Sequence, residues 1–401
     1  MPSALERYLS RYGAVAAVPT LGRRYRYVLT IPAFDEPTDF LESVLASSDA
    51  DGVVVVVTVN VPETADVAAR ERTADLYHAL KAYPDVIVID RVTDPIPRRQ
   101  GVGLARKLAA DLATALIHRG DVTCPVIFMT DADTMLPPGY FAAGSSLTTG
   151  TALYPFRHRS GEPGLQRKAD TYELHLMHYV DGLGRAGSPY AFQTLGSTIA
   201  MHADTYARVR GIPRRNAAED FYLLNKAAKV DPVIGLAAPE ITIAARDSHR
   251  VPFGTGPALD AIPDDVEQFV SYPDEAFDEL SQTLRAMTRW SLRGDPFRLP
   301  EAPFSRLSRL GWDPDRVGRA HAPGPRRLRA CHEWFDGFRT MRFVRMAAQE
   351  MGEPRLLETL RSRHAQSRAN VGELIDLMRR GRAARYVGIA EAIRNPPTNS
   401  V

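Results

Sequence analysis

The chain has 401 residues, of which 44% are hydrophobic, 24% charged and 8% aromatic, a globular composition long enough for one core and an appended unit. Fifty Lys+Arg against 48 Asp+Glu leave a net charge of +2, which excludes a nucleic-acid or polybasic-membrane role for the chain as a whole. The balance hides a step: residues 281–401 carry 23 Arg, no Lys and 12 acids, a net of +11, and residues 1–280 carry a net of −9.

Tyr27 to Ile31 is predicted as a first buried strand, halted by Pro32. Asp35-Glu36-Pro37 then opens a helix through Phe40, Leu41, Val44 and Leu45, with proline tolerated in its first turn. Val53 to Val59 reads as a second strand, Ala65 to Tyr83 as a helix and Val86 to Ile89 as a third strand. Gly101 to His118 has the helical period at Leu104, Leu108, Leu112 and Leu116, and Val126 to Met129 is a fourth strand. This β-α-β-α-β-α-β order predicts an open, mostly parallel sheet that binds ligands outside the carboxyl ends of its strands. Residues 140–257 are mixed, with helices expected at Ala169 to Leu183 and Ala217 to Lys229. Beyond Asp260 the pattern is helical, jointed at Gly294, Pro300, Pro303, Pro314, Pro323 and Pro325, with long helices expected over Arg326 to Met351 and Val371 to Ala392. The organisation read from this is 1–135 and 136–258 as two halves of one α/β domain, and 259–401 as an Arg-rich helical module.

Cys124 and Cys331 are too few for a disulfide framework, which fits a reducing cytoplasm. Met1 to Gly22 lacks a continuous apolar core of secretory type, and nowhere do ~18 apolar residues run together. The expectation is a cytoplasmic protein without a transmembrane segment, free or peripheral at the inner face of the membrane.

Four clusters carry chemistry. Asp131-Ala132-Asp133 follows the fourth strand; in extended chain both carboxylates point the same way, and two hard oxygen ligands suit Mg²⁺ or Mn²⁺. A solvated acidic turn before Pro137-Pro138 is the plain alternative. Asn216 and Glu219 have capping-box spacing, whereas Asp220 is not needed for a cap. In the first turn of a helix its ionised form is favoured, which suits a base. Gly101-Val102-Gly103-Leu104-Ala105-Arg106-Lys107 lacks the third glycine of a dinucleotide fingerprint and the GK[ST] ending of a phosphate loop. It still allows close backbone approach, with Arg106 or Lys107 reaching a phosphate; a solvated basic helix end is the alternative. Arg246-Asp247-Ser248-His249-Arg250 precedes a Gly/Pro loop, where His249 is a candidate metal ligand and Arg250 a phosphate contact. His175 and His178 do not have zinc-site spacing and are read as lining a pocket or packing.

Jointly these residues resemble the family 2 glycosyltransferases: Ile31-Pro32-Ala33-Phe34-Asp35-Glu36, Gly101 to Lys107, Asp131-Ala132-Asp133 with Pro137-Pro138, and Gly196-Ser197 through Gly211 to Glu219-Asp220. The likeness covers residues 26–256 and looks like a bacterial, non-processive subgroup. It implies the GT-A fold and a metal-dependent inverting transfer of a hexosyl or N-acetylhexosaminyl group. The donor would be a nucleotide-diphosphate sugar and the acceptor a hydroxyl on a glycan, glycolipid or small molecule, soluble or lipid-linked. By that resemblance Pro32, Phe34 and Glu36 border the base, Asn60 faces it and Arg106 lies beside the nucleotide. Asp131 and Asp133 hold ribose and the Mn²⁺ or Mg²⁺ ion, His249 completes the metal shell and Arg250 contacts phosphate. Asp220 is the base, with Glu219 its neighbour at the acceptor. Asp35 replaces the usual Asn, Asn60 a common Asp, and Lys107 a frequent Asn. Arg289-Trp290 has Ala286 where a processive synthase has Gln. A nucleotidyltransferase shares the sheet and metal logic but needs a Gly-rich loop after its first strand, and Ile31 to Pro37 has no glycine. A third alternative is a noncatalytic scaffold with an Arg-rich tail that binds a partner, against a plain packed helical cap.

Overall fold

The computed structural model of the chain describes residues 3–15, 17–46, 52–246, 255–380 and 385–396. It divides into two compact units: residues 1–160, 194–257 and 383–385 form the first, and residues 161–193, 258–382 and 386–401 the second.

The first unit is mixed α/β. Its strands, numbered in chain order, are β1 (Tyr27–Ala33), β2 (Val53–Pro62), β3 (Val86–Ile96), β4 (Val126–Met129), β5 (Thr134–Met135), β6 (Thr151–Leu153), β7 (Phe156–Arg159), β8 (Ile199–His202), β9 (Val233–Gly235) and β10 (Ile241–Ala244). Its helices are α1 (Ala4–Arg11), α2 (Phe40–Ala46), α3 (Val67–Leu80), α4 (Gly101–Arg119), α5 (Tyr140–Ser145), α7 (Ala203–Arg208) and α8 (Glu219–Val230). Seven strands line up as β9-β6-β8-β4-β1-β2-β3. All neighbours are parallel except β8, which runs antiparallel to both β4 and β6. Continuous Val and Ile runs suit strands covered on both faces, and β2 is buried at every residue from Val53 to Val61. Helix α4 packs on β1 and β2; Leu112 and Leu116 are buried on it together with Ala105, Ala109 and Ala113, whose small side chains allow a close approach. Asp66 caps α3 by accepting from Ala69 N (2.8 Å). Strand β3 extends seven residues beyond the Ile89 end expected from sequence.

From β1 the chain moves outward to β2 and β3, then returns to place β4 on the other side of β1. That reversal between β1 and β4 is the topological switch point at which open α/β sheets bind ligands. A separate three-stranded sheet, β5-β10-β7, begins one residue after Asp133.

The second unit is helical: α6 (Pro163–Ala186), α9 (Thr255–Asp260, whose first three residues belong to the first unit), α10 (Asp274–Arg293), α11 (Glu301–Arg309), α12 (Pro314–Ala320), α13 (Pro325–Trp334), α14 (Gly337–Met351), α15 (Leu356–Arg363), α16 (Val371–Arg379) and α17 (Ile389–Arg394). Residues 161–193, read from sequence as part of a 136–258 half, lie in this unit. The expected 326–351 helix is two helices, because Asp336 turns the chain and caps α14 by accepting from Arg339 N (3.2 Å). Helix α16 ends at Arg379, short of the expected Ala392. Leu183, Phe277, Leu284, Phe335 and Phe343 are among the residues of the core.

Many arginines of this unit are paired. Arg379 donates to Glu173 (2.5 Å), Arg361 grips Glu267 through both nitrogens (2.7 and 2.8 Å), Arg363 takes Asp274, and Arg306 takes Glu279 and Glu350. Four of those acids precede residue 281, so the charge step seen in the sequence cuts through one electrostatic network. His175 shares a hydrogen bond with Ser271 Oγ (2.8 Å), and His178 Nε2 bonds Tyr272 O (2.7 Å) while its Nδ1 faces Arg363 Nη2 (2.9 Å). A carbonyl on one nitrogen and a guanidinium donor on the other select the neutral Nε2–H tautomer. Burial pushes both imidazoles down to about 4, so these histidines are packing groups. No helix among the described residues is long and apolar enough to cross a membrane.

Candidate active site

The carboxyl ends of β1, β2 and β4 and the start of α8 supply the site. Met129 of β4 pairs with Ile199 of β8, so the turn Gly196–Thr198 lies beside Thr130 and Asp131. Arg106, on the second turn of α4, reaches into this corner. Its Nη2 donates to Asp131 Oδ1 (2.5 Å) and its Nε to Glu219 Oε1 (2.9 Å). The Arg106 and Glu219 side chains are only 10% and 6% exposed. Burial works against the Arg106 charge, but Asp131 and Glu219 outweigh it and hold the guanidinium more firmly protonated than usual. Gly196 makes room for it: a β-carbon there would stand 2.5 Å from Arg106 Nη2.

Asp220 follows Glu219 and is half-buried. Its Oδ1 accepts from Phe221 N (2.7 Å). Its carboxyl is pushed up to about 7, first by burial and then by the Glu219 charge; Arg106 and the Phe221 N–H pull the other way and Asp131 adds to the rise. Asp131, Glu219 and Asp220 are therefore brought together around Arg106.

A second arginine organises the other carboxylates. Arg246, two residues after β10, hydrogen-bonds Glu36 Oε1 and lies 3.7 Å from Asp133 Oδ2. The register of β10 on β5 (Ile243 opposite Thr134) carries it there, and Ala244 N donates to Asp133 O (2.9 Å). Glu36, expected at the base, thus belongs with Asp133 in an ion-paired group. Sequence reasoning named Arg246 only as the head of its loop; its place depends on strand pairing across more than a hundred residues, which no local pattern signals.

Pro32 and Phe34 are half-buried at the end of β1. Asp35 adopts φ +55° and is held by Arg72 through two bonds (2.6 and 2.9 Å). Asn60, near the end of β2, is 7% exposed, and among the described residues its Oδ1 has no hydrogen-bond partner. His249 and Arg250 lie outside the described residues.

Two local expectations are corrected. Glu219 is not the third residue of a capping box: the helix begins at Glu219 itself, its N-cap is Ala218 at φ +60°, and no side chain caps it. Glu219 Oε1 instead accepts from Arg106. Lys107 is neither a phosphate ligand nor a solvated helix end. It is buried on Tyr8 Oη (2.6 Å) and Asp111 (2.9 Å), where Tyr206 Oη (2.7 Å) and Ala14 N (2.7 Å) also converge on the Asp111 carboxylate. One residue along a helix turns a side chain by ~100°, so Arg106 and Lys107 face different neighbours; Asp111, four residues on, was the visible signal. The glycines of this segment serve packing as well: Gly103 N donates to Arg215 O (3.0 Å), and a β-carbon at Gly103 would lie 2.5 Å from that oxygen.

Asp131 and Asp133 offer hard oxygens on side chains 29% and 27% exposed, the first beside Arg106 and the second beside Arg246. Among the described residues no group of three or more His, Cys, Asp or Glu could hold a metal ion.

No protein-family model matches the chain, and no curated protein matches it. Among solved structures it is similar to the mannosyltransferase PcManGT from Pyrobaculum calidifontis, in complex with GDP-Man and Mn²⁺. The identity is 16% and the TM-score 0.36, with 94% of this chain and 89% of that one covered. The resemblance to family 2 glycosyltransferases accordingly rests on the motifs and the site they build.

Proposed function

We propose that the chain is an inverting, divalent-metal-dependent glycosyltransferase of GT-A fold and family 2 type, moving a hexosyl or N-acetylhexosaminyl group from a nucleotide-diphosphate sugar to a hydroxyl acceptor. The observation that supports this reading is the Arg106 bridge, which ties the first carboxylate of the DxD pair (Asp131) to Glu219, the neighbour of Asp220, at the switch point of the sheet. Asp131 and Asp133 would hold Mg²⁺ or Mn²⁺. When bound, the ion supplies positive charge to the diphosphate leaving group.

The roles of the chain's own residues follow from their partners. Glu219 is occupied by Arg106 and acts as a positioning residue. Asp220, whose Oδ1 takes the Phe221 N–H, has a carboxyl near 7, the range in which a base is both substantially ionised at neutral pH and basic enough to take a proton. In a single displacement the acceptor oxygen bonds to the anomeric carbon as the bond to the diphosphate oxygen breaks. The hydroxyl proton passes to Asp220. Asn60, with an unpartnered buried carbonyl oxygen, would accept from a base N–H at the end of β2.

The test is a screen of UDP-, GDP- and dTDP-sugars with Mn²⁺, read as thermal stabilisation and then as transfer or hydrolysis. Asp220→Asn should lower turnover by about 10³-fold while leaving donor affinity unchanged; normal turnover would remove Asp220 as the base. Asp133→Ala should abolish the Mn²⁺ dependence of nucleotide binding, and an unaltered dependence would remove it as a ligand.

A further inference from the structure

A cleft in the first unit lies away from Asp131. It is about 860 Å³, lined by Glu63, Pro97, Arg98, Arg99, Gln100 and Asn216. These residues follow the carboxyl ends of β2 and β3, precede the first turn of α4 and include the loop leading to α8. Asn216 is packed on Gly101 at the head of α4, where a β-carbon would come within 2.3 Å of its Oδ1. The cleft thus shares its wall with the segment that ends, four residues later, in Asp220.

Its chemistry is cationic and unpaired. Arg98 and Arg99 are exposed, and among the described residues neither guanidinium has a hydrogen-bond or ion-pair partner. This differs from Arg306, Arg361, Arg363 and Arg379 of the second unit, each of which meets an acid. The one carboxylate in the lining, Glu63, accepts from Arg98 N (3.1 Å) and so is partly committed to the backbone. Gln100 adds a buried Oε1 with no partner, an acceptor for a hydroxyl. Arg214 and Arg215 adjoin Asn216 in the chain, and Arg215 lies over the Tyr222 ring (3.9 Å). A planar guanidinium binds phosphate oxygens in pairs, and the amino end of a 19-residue helix favours the same charge.

We propose that this cleft binds a phosphate group carried by the acceptor, so that the acceptor substrate is a phosphorylated hydroxyl compound. Arg98 and Arg99 hold the phosphate, and Gln100 receives a hydroxyl of the same molecule. The assignment to the acceptor rests on the transferase reading above; the anion site itself does not.

Phosphorus NMR of inorganic phosphate titrated into the full-length chain tests the anion site without any sugar nucleotide. Arg98→Ala/Arg99→Ala should weaken binding by about tenfold or more for each arginine removed, and Arg98→Lys/Arg99→Lys should restore part of it. No binding by the unaltered chain, or equal binding by the alanine variant, overturns the site. If no sugar nucleotide is turned over, the transferase reading falls while this titration still decides the cleft. Saturating nucleoside diphosphate with Mn²⁺ should leave phosphate binding intact; competition would assign the cleft to the donor and overturn the acceptor assignment. Glycerol phosphate in solution and sedimentation with phosphatidylcholine vesicles containing phosphatidylglycerol separate a soluble acceptor from a lipid one. Arginine-dependent binding of either supports the proposal, and binding of neither overturns it.

Discussion

Arg106 in the first unit and Arg379 in the second are both largely covered and both hold a buried glutamate, yet their surroundings differ in kind. Arg379 meets Glu173 at 2.5 Å, with the glutamate side chain fully buried, in a unit where the neighbouring charges are also matched, Arg363 with Asp274 and Arg361 with Glu267. Arg106 is shared between Asp131 and Glu219, while Asp220 beside them accepts the Phe221 N–H of α8 and keeps a carboxyl near 7. Matched buried pairs hold a structure in register and do little else. A cluster in which acids outnumber their guanidinium leaves one carboxylate poised to exchange a proton, and that imbalance marks the site more sharply than burial does.

The largest effects should come from removing each arginine. Arg106→Met strands Asp131 and Glu219 and should cost transfer about 10²–10³-fold in protein that still folds, since the carboxylates lose their common anchor. Arg379→Met leaves Glu173 buried without its guanidinium and should lower the urea stability of the second unit by about 3–5 kcal/mol, with turnover retained in the folded fraction. Equal loss of turnover in the two variants would erase the distinction between a working and a structural arginine.

A smaller effect, and one of opposite sign in the two units, should appear on changing pH. Asp220 has a folded value near 7 against an ordinary 3.8, so the folded state holds its proton more tightly. The stability it confers is present at low pH and is lost as pH rises from about 4 through about 7; Asp220→Asn should flatten that slope. His175 and His178 have folded values of about 4 against 6.5, so the unfolded state binds their protons more tightly. Their contribution is present above about 6.5 and is lost as pH falls toward 4. Urea midpoints taken across this range should show a first-unit transition weakening with rising pH and a second-unit transition weakening with falling pH. A common slope for both would contradict the assignment. Turnover should climb with pH through about 7 as Asp220 ionises, then level.

What the residues reveal in one dimension follows the range of the forces involved. β4 was readable to the residue, Val126–Met129, and α4 to within one residue, because hydrophobic period is a local property. The Asp131, Glu219 and Asp220 cluster was legible only through motif order, since the arginine that joins it spans 113 residues to Glu219. Arg246 on Glu36 spans 210 residues and depends on the register of β10, so nothing near it in the chain announces it. Lys107 was misread although Asp111 stood one helical turn away. The division of the 326–351 helix was also signalled, by Asp336-Gly337, a capping residue followed by a weak helix former. The charge step at 281 is a different case: an excess of arginine in sequence does not show which acids, such as Glu173 or Glu267, are brought in to pair with it.

The smallest expected effect probes how the first unit holds its imbalance. Ala218, immediately before Glu219, sits at φ +60°, where an L-residue other than glycine, Asn or Asp is costly, and no side chain caps the helix it opens. Glycine at this position would relieve the strain, offset in part by a more flexible unfolded chain, for a net gain of about 0.5–1 kcal/mol. The same freedom would loosen the first turn of α8 that carries Glu219 and Asp220, so turnover should fall by less than about tenfold while donor affinity stays constant. Ala218→Gly therefore pits stability against catalysis at one residue. A variant no more stable than the parent would mean that the backbone there is unstrained. One both more stable and fully active would mean that the position of Asp220 is set by Arg106 and Glu219 alone.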